Sequence, residues 1–420
     1  MGENDSMLSP YRVLDLASDQ VALCGRILAD LGANVIKIER PEGDSARNIG
    51  PFFHDNPAPE QSLFWFAYNS NKKSITLNLE SSDGQAIFKK LVAKNDAIVE
   101  SFPPGYLDKL NLGYEMLKEI NPGIVLASVT PFGQMGSYKD YKGSDLVCTA
   151  MSGYMNLCGE PDGPPVHITV PQIYLHAAGD AAVGIVTALY HRQKSGKGQH
   201  VDIPVWGSMV PAMQEANPWY NMNHMILKRQ GAYRVGLARG SLDRRMRQTW
   251  RCKDGWVNLA IYGGSAFSTA NRPLVEWMEE EGMASEFLRE LDWNVFDAFT
   301  ASQEQLNEIM EPVSNFLLTH TKSELLDGAL TRGIFLCPVN TIGEIVSDPQ
   351  LQVRDFWVKM EHPDLNTEIT YPGAFVKTPE APWQMNRIAP HIGEHNEQVY
   401  EAELGLSREE LIVLKQTGVI

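Results

Sequence analysis

The first third of the chain alternates between two hydrophobic periodicities, and this alternation constrains the fold more than any other feature. Short apolar runs predict strands, and stretches with helical spacing separate them. The predicted strands are 11–16, 34–39, 74–79, 97–102 and 124–129, and the predicted helices are 20–31, 84–94 and 114–120. Strands and helices that alternate at this spacing indicate a parallel sheet covered by helices. The sequence therefore predicts an α/β fold with a Rossmann-like large domain.

The pattern changes in the second half of the chain. Asp254 and Gly255 lie between two apolar runs, which is a strong signal for a β-hairpin. The other predicted elements are helices at 273–281, 303–318 and 322–332 and a short strand at 333–341. We therefore predict a smaller α+β domain at 225–330, with residues 1–224 and 331–420 together forming the large domain.

Composition excludes several classes of partner. The net charge is −16, whereas nucleic acids and anionic membrane surfaces attract basic proteins, so we expect neither as a partner. The five cysteines are scattered and form no CxxC pair, which argues against a disulfide framework. Residues 1–10 are acidic and polar, unlike a signal peptide. The apolar stretch 181–190 is too short to span a bilayer. These features predict a cytoplasmic protein.

Several motifs with a defined mechanism are missing or misplaced. The sequence contains no GxxxxGK[ST] phosphate loop and no GxSxG nucleophile elbow. His391 and His395 fit the HxxEH pattern, whose zinc chemistry requires both histidines on one helical face. Pro390 precedes this motif and Gly393 interrupts it, so we interpret it as a solvated turn and predict no metal site.

Segments along the whole chain match one family in order. They are VLD at 13–15 with LADLGANVIKIER at 28–40, NSNKKSI at 69–75, VESF at 99–102, KGSDL at 142–146 with GPPV at 163–166, Ala188 and Arg192 with SGKGQHVD at 195–202, and GEHN at 393–396. Together these segments resemble the class III CoA-transferases, the family of formyl-CoA and carnitine-CoA transferases.

The resemblance implies a fold and a reaction. Members form interlocked dimers, and each chain has a Rossmann-like large domain and a small domain. They transfer CoA from an acyl-CoA to a carboxylic acid through an aspartate carboxylate that attacks the thioester. A CoA thioester is therefore the expected substrate, and no permanently bound cofactor is expected.

The resemblance also identifies CoA-contact positions in this chain. They are Arg40, Leu77, Ser101, Phe102, Lys109, Lys142 and Val205. The arginine and the two lysines suit phosphate groups because they are charged donors. Glu80 departs from the family, in which a lysine is common at this position, and its carboxylate is expected to repel a CoA phosphate.

Tyr174 occupies the position of the family's nucleophilic aspartate. A phenol with a pKa of about 10 is mostly neutral at pH 7, and it has no carboxylate that could form an anhydride. Asp145 retains a carboxylate that supports the nucleophile in the family, and helix capping is an equally good interpretation. We interpret His176 as a core histidine, and Asp180 lies at the wrong offset. No catalytic residue is therefore predicted in this chain.

Heteromeric members of the family pair a competent chain with an incompetent one, and this chain resembles the latter. Segments 23–28 and 64–69 resemble one subunit of the members that transfer CoA from succinyl-CoA to benzylsuccinate in anaerobic toluene breakdown. A homologous subunit that carries the catalytic aspartate is the expected partner. Two alternatives stay open: a self-sufficient CoA-transferase or acyl-CoA isomerase with an unrecognised nucleophile, and a non-enzymatic CoA-binding scaffold.

The stretch 236–245 corresponds to a glycine-rich shielding loop in the family, but it contains only two glycines. Five arginines lie in this stretch or next to it, namely Arg234, Arg239, Arg244, Arg245 and Arg247. We predict that at least one of these arginines binds the free carboxylate of a dicarboxylic acceptor. A solvated surface cluster is the alternative interpretation.

Overall fold

The computed structural model describes residues 6–214, 216–235, 244–298 and 300–420. The chain divides into two compact units. The first comprises Met1–Tyr154, Ile168–Ala212 and Pro349–Ile420, and the second comprises Met155–His167 and Met213–Asp348. The second unit is larger than the small domain predicted at 225–330, since it extends beyond both ends of that range and includes a separate segment. The assignment of functional domains stays a prediction.

The first unit is built on a six-stranded parallel sheet. Its strands are β1 (Arg12–Leu16), β2 (Asn34–Glu39), β3 (Lys73–Thr76), β4 (Ala97–Glu100), β5 (Val125–Thr130) and β6 (His200–Pro204). Their order across the sheet is β3-β2-β1-β4-β5-β6, which is the order of a Rossmann fold and reverses between β1 and β4. The predicted Rossmann-like α/β fold is confirmed.

Helices cover both faces of this sheet. They are α1 (Leu23–Asp30), α2 (Leu63–Asn69), α3 (Ser82–Val92), α4 (Tyr106–Lys109), α5 (Tyr114–Ile120), α6 (Asp145–Met151), α7 (Ile173–Ser195) and α8 (Val205–Ser208). Successive strand residues point to opposite faces. Val13 therefore packs in a first core with residues of α1 and α7, and Leu14 packs in a second core with residues of α3 and α5.

A buried ion pair ties β1 to the segment before β3. Lys72 Nζ lies 2.7 Å from the Asp15 carboxylate, and both side chains are fully buried. The same Nζ donates a hydrogen bond to the Ala22 carbonyl at 2.7 Å. Gly25 on α1 leaves room for the pair, because a Cβ there would lie 2.1 Å from Asp15 Oδ2. The pair therefore fixes how α1 packs on the sheet.

The second unit has its own core, which includes Trp250, Val257 and Phe316. Its elements are α9 (Ala216–Asn223), β7 (Tyr233–Val235), β8 (Arg245–Arg247), β9 (Thr249–Cys252), β10 (Gly255–Leu259), α10 (Ser265–Glu280), α11 (Glu286–Glu290), α12 (Gln303–Thr319), α13 (Lys322–Arg332), β11 (Leu336–Pro338) and α14 (Ile342–Val346). Strands β9 and β10 pair antiparallel, so the predicted hairpin is confirmed.

The C-terminal stretch belongs to the first unit. Its elements are α15 (Pro349–Val353), the antiparallel pair β12 (Trp357–His362) and β13 (Thr367–Pro372), a π-helical turn at Gln398–Glu403, and α16 (Arg408–Gln416). Leu411 of α16 packs in the second core. The backbone N–H of Asn78 donates to the carbonyl of Val419 at 2.7 Å. These contacts bring the C-terminal stretch to the segment that follows β3.

Helix α7 is longer than the apolar run 181–190 that marks it in the sequence. Among the described helices, it is the one whose length and composition would allow it to cross a membrane. It packs against α1 and β5, and Ala177, Ala181 and Ile185 along it are fully buried. These contacts are those of a helix that covers a sheet.

Candidate functional site

A cavity of about 810 Å³ opens at the carboxyl-terminal edge of the parallel sheet. Residues that follow four strands line it: Ser18 after β1, residues 40–45 after β2, residues 77–80 after β3, and Phe102 after β4. The cavity therefore lies where the strand order reverses, which is the usual ligand-binding position in an open parallel sheet. Its volume is within the range of small-molecule sites.

Buried charges hold the loop that follows β2. Lys37 Nζ lies 2.7 Å from the Asp44 carboxylate. Burial acts to raise the pKa of Asp44, but this lysine outweighs burial and the pKa is lowered to about 2. Arg47 Nε lies 2.7 Å from the carboxylate of Glu39, and both side chains are buried. The loop wall of the cavity is therefore fixed by two ion pairs, and both depend on residues at or near the end of β2.

Arg40 and Glu80 face each other in the cavity. Arg40 Nη2 lies 3.6 Å from Glu80 Oε1, and the hydroxyl of Tyr106 donates to the same oxygen at 3.2 Å. The two charged side chains are 66% and 60% exposed, so the pair contributes little to stability. Glu80 nevertheless pairs with Arg40, the one arginine among the described residues that line the cavity.

The structure brings together part of the predicted CoA-contact set. Arg40, Leu77 and Phe102 line the cavity. Ser101 lies beside it, where its hydroxyl accepts the backbone N–H of Ser18 at 3.0 Å. Their roles in binding CoA stay predictions.

The other three predicted contacts do not line this cavity. Lys109 is exposed at the end of α4, and Lys142 is exposed shortly before α6. Val205 is fully buried in the first core, whereas Leu77 belongs to the second core. These three residues are therefore not among those that line the cavity that holds Arg40.

Tyr174 lies in the first turn of α7 and packs, half-buried, against the first core. Burial raises the pKa of its phenol, and the neighbouring Cys148, Asp145 and Asp19 raise it further. The phenol is therefore neutral at physiological pH, and no oxyanion is available for attack. The side chain at the predicted nucleophile position is therefore a packed, uncharged ring.

Asp145 connects the starts of two helices. It is the first residue of α6, and its Oδ1 accepts the backbone N–H of Ile173, the first residue of α7, at 3.1 Å. This carboxylate therefore satisfies an unpaired donor at the N-terminus of a 23-residue helix. The geometry is that of helix capping. A supporting role in catalysis stays a prediction.

His176 and Asp180 are exposed on α7. The interpretation of His176 as a core histidine is therefore wrong, because its turn of α7 presents it to solvent while Ala177 and Ala178 are buried.

The arginine run is only partly described. Arg239 and the side chain of Arg234 lie outside the described residues, as does most of the stretch 236–245. Arg247 Nη2 donates to the hydroxyl of Tyr233 at 2.7 Å, and its guanidinium lies 4.9 Å from the centre of that ring. The carboxylate-binding role of the run stays a prediction.

The HxxEH segment forms a turn in which the two histidines have different partners. His391 lies between two carboxylates, with Nδ1 2.9 Å from Glu60 and Nε2 2.7 Å from Asp364. His395 Nδ1 accepts the backbone N–H of Ser74 at 3.2 Å. In the described part of the chain, no group of three or more histidine, cysteine or acidic side chains is arranged to hold a metal.

Sequence reasoning missed a polar row across the sheet. Glu100 and Ser128 pair directly in the register of β4 and β5. Ser128 Oγ lies 2.8 Å from His200 Nε2 on β6. All three residues line a second cavity of about 190 Å³. A signal was available, since the first two are polar residues within apolar strands, but recognising the row requires the strand order.

Comparison with known proteins identifies the family. The model described as CoA-transferase family III matches residues 8–396. The succinyl-CoA:(R)-benzylsuccinate CoA-transferase subunit BbsE of Thauera aromatica is 33% identical and is matched over 98% of each chain. The succinyl-CoA–L-malate CoA-transferase beta subunit of Chloroflexus aurantiacus is 29% identical, again over 98% of each chain.

A solved structure agrees with these sequence matches. The crystal structure of a CAIB/BAIF family protein from Brucella suis has a TM-score of 0.81 and 26% identity, covering 95% of this chain and 99% of that one. Since the family match, the relatives of equal length and the shared fold all agree, the chain belongs to CoA-transferase family III.

Proposed function

We propose that this chain is the subunit of a heteromeric CoA-transferase that lacks the nucleophile. The observation that carries the proposal is the half-buried, neutral phenol of Tyr174 at the position where the family has its aspartate. The reaction needs a carboxylate that accepts the acyl group as an anhydride and then as a thioester. A homologous subunit with the aspartate supplies that carboxylate, and the two chains work together in the cytoplasm.

The large cavity supports the proposal that this chain binds CoA within an active complex. Its loop is fixed by the buried pairs Lys37–Asp44 and Arg47–Glu39, and Arg40 is positioned to meet a phosphate once Glu80 releases it. The proposed CoA contacts in this cavity are Arg40, Leu77, Ser101 and Phe102. Lys109, Lys142 and Val205 are proposed to contact CoA away from this cavity.

Exposed apolar side chains on α6 and α7 of this chain form a candidate surface for binding the partner subunit. Leu146 and Met151 on α6 and Val183 and Tyr190 on α7 are exposed, with 66% of Val183 accessible. A family of interlocked dimers buries apolar surface of this kind between chains. We therefore propose that the homologous subunit covers it.

Two relatives guide the choice of substrates. One is named for succinyl-CoA and (R)-benzylsuccinate, and the other for succinyl-CoA and L-malate. We propose succinyl-CoA as donor and a dicarboxylic acid such as benzylsuccinate as acceptor. Both named acceptors keep a free carboxylate after one carboxyl becomes a thioester, and an arginine of the run around 234–247 binds that group.

Coexpression tests the proposal. The chain is produced alone and together with a homologous subunit that carries the aspartate, and CoA transfer from succinyl-CoA to benzylsuccinate and malate is measured. We expect transfer only from the coexpressed pair, and copurification of the two chains. Transfer by the chain alone would establish the self-sufficient alternative. CoA binding without copurification or transfer would establish the scaffold alternative.

A pull-down from the native host, followed by mass spectrometry, identifies the natural partner. We expect one dominant protein of the same family that has the aspartate. Recovery of this chain alone would contradict the heteromer.

A further inference from the structure

The second cavity lies beside the large one and shares a wall with it. Tyr106 lines both cavities. Glu100 lines the smaller cavity at the end of β4, and Phe102, two residues later, lines the larger one. The short turn from 100 to 102 therefore separates the two spaces, and whatever holds this turn also shapes the large cavity.

Glu100 holds the turn through its carboxylate. Its Oε2 accepts the backbone N–H of Phe102 at 2.6 Å. Only 4% of the residue is exposed. Ser101, between them, accepts the N–H of Ser18. One carboxylate thus holds the turn that carries Ser101 and places Phe102 on the wall of the large cavity.

The same carboxylate ends a chain of hydrogen bonds. Ser128 lies opposite Glu100 in the strand register, both side chains line the smaller cavity, and the Ser128 hydroxyl is close enough to that carboxylate to lower its pKa. Ser128 Oγ also lies 2.8 Å from His200 Nε2. Because one hydroxyl donates one hydrogen, Ser128 cannot donate to both neighbours at once.

The direction of the two hydrogen bonds therefore depends on whether Glu100 carries a proton. When Glu100 is ionised, Ser128 donates to it and His200 Nε2–H donates to Ser128. When Glu100 carries a proton, it donates to Ser128, which then donates to an unprotonated Nε2. Loss of the Glu100 proton thus reverses both hydrogen bonds and changes the tautomer of His200.

The surroundings set the pH range of this reversal. The pKa of Glu100 is raised to about 7, chiefly by burial; Ser128 and the Phe102 N–H oppose the shift, and Asp108 on α4 and Asp202 on β6 contribute to it. Burial also lowers the pKa of His200, against the charges of Asp202, Asp108 and Glu115. Lysine and arginine are missing among the described residues that line this cavity.

We propose that Glu100 is a positioning residue of the large cavity and that its hydrogen-bonded partners Ser128 and His200 form a proton relay that makes ligand binding there depend on pH. An ionised carboxylate binds the Phe102 N–H more strongly than a carboxylic acid does. The turn is therefore held more firmly as the pH rises through neutrality. This inference rests on the proposed function only in assigning CoA to the large cavity.

The relay is tested first without any ligand. Nitrogen-15 NMR of the histidine rings in the full-length chain reports the His200 tautomer between pH 6 and 8.5. We expect the Nδ1–H form at the lower end and the Nε2–H form at the upper end. Glu100→Gln should abolish this change, and Glu115→Gln, an exposed residue of the same cavity, should preserve it. A His200 tautomer that is constant with pH in the unmodified chain would overturn the relay.

CoA binding tests the positioning role. Calorimetry at pH 6 and pH 8 compares the unmodified chain with the same two variants, so that titration of the CoA phosphate cancels. We expect the unmodified chain and Glu115→Gln to gain about three- to tenfold more affinity between these pH values than Glu100→Gln. Equal gains would overturn the positioning role. No CoA binding at either pH would instead reject the assignment of CoA to the cavity, and the NMR experiment would still decide the relay.

Discussion

Two regions of the first unit make opposite use of the same sheet. The large cavity opens to solvent, and its loops carry charged residues such as Arg40, Glu80 and Asp44. The first turn of α7 is packed, and Tyr174 contributes its ring to the first core. In one region the sheet exposes charged groups to a ligand. In the other it fills the expected site of chemistry with an aromatic side chain.

Under the proposed function, this difference means that binding and chemistry are separable in this fold. The loop of the cavity is held by two buried ion pairs, Lys37 with Asp44 and Arg47 with Glu39. The start of α7 is held by an aspartate that caps the helix and by core packing, neither of which requires a nucleophile. The proposed function assigns binding to the cavity of this chain and the reacting carboxylate to a partner subunit.

The largest expected effect on stability comes from the buried Lys72–Asp15 ion pair in the sheet that carries both regions. Lys72→Ala leaves the buried Asp15 carboxylate unpaired, and we expect a loss of about 3–5 kcal/mol in the free energy of unfolding. Lys73→Ala is the matched control, because its pair with Glu403 spans 3.5 Å and is partly exposed, and it should cost less than about 1 kcal/mol. Urea denaturation measures both. Equal losses would show that the buried pair does not support the sheet.

The packed role of Tyr174 is tested by substituting the family's residue. Tyr174→Asp removes the ring from the first core and places a carboxylate near Asp145 and Asp19. We expect a loss of about 2–3 kcal/mol in the free energy of unfolding. Tyr174→Phe keeps the ring and should cost less than about 1 kcal/mol. If Tyr174→Asp is as stable as the unmodified chain, the contrast between the two regions disappears.

The open region is tested at Glu80. Glu80→Lys removes the carboxylate that occupies Arg40 and restores the family's common residue. We expect CoA to bind about five- to a hundredfold more tightly, as measured by calorimetry. Glu42→Lys, on the same cavity, changes the net charge equally but not the Arg40 pair, and should have a smaller effect. If the unmodified chain already binds CoA as tightly as Glu80→Lys, our interpretation of Glu80 is wrong.

The smallest effect concerns pH and the turn at His391. Burial acts to lower the pKa of this imidazole, but hydrogen bonds to Glu60 and Asp364 outweigh burial and raise the pKa above its usual value. Because the folded-state pKa is raised, the stabilisation is complete below about pH 6.5 and is lost as the pH rises through the folded-state value. His391→Asn should flatten the pH dependence of Tm in this range. An unchanged profile would mean that the imidazole does not contribute.

Local sequence signals predicted much of the fold. Strand β2 and helices α5 and α13 have the bounds expected from periodicity, at 34–39, 114–120 and 322–332. The hairpin β12–β13 was missed because its turn contains Asn366 in the left-handed conformation and no glycine. The alternation of strands and helices predicted the parallel sheet, but the order of its strands depends on long-range pairing.

The site was less predictable for the same reason. The resemblance located Arg40, Leu77 and Phe102, and the structure places them in one cavity. The row of Glu100, Ser128 and His200 comes from three strands that lie far apart in sequence. Burial of His176 was predicted wrongly, since periodicity in an apolar helix does not identify which face meets the sheet.

The central claim is that the acyl group is never carried by this chain. The direct measurement is intact-mass and peptide mass spectrometry after incubation with succinyl-CoA, with the covalent intermediate trapped by hydroxylamine or borohydride. It is made on the chain alone and on its complex with the subunit that carries the aspartate. We predict a trapped adduct on that aspartate of the partner and none on this chain in either sample. An adduct on any carboxylate of this chain would contradict the account.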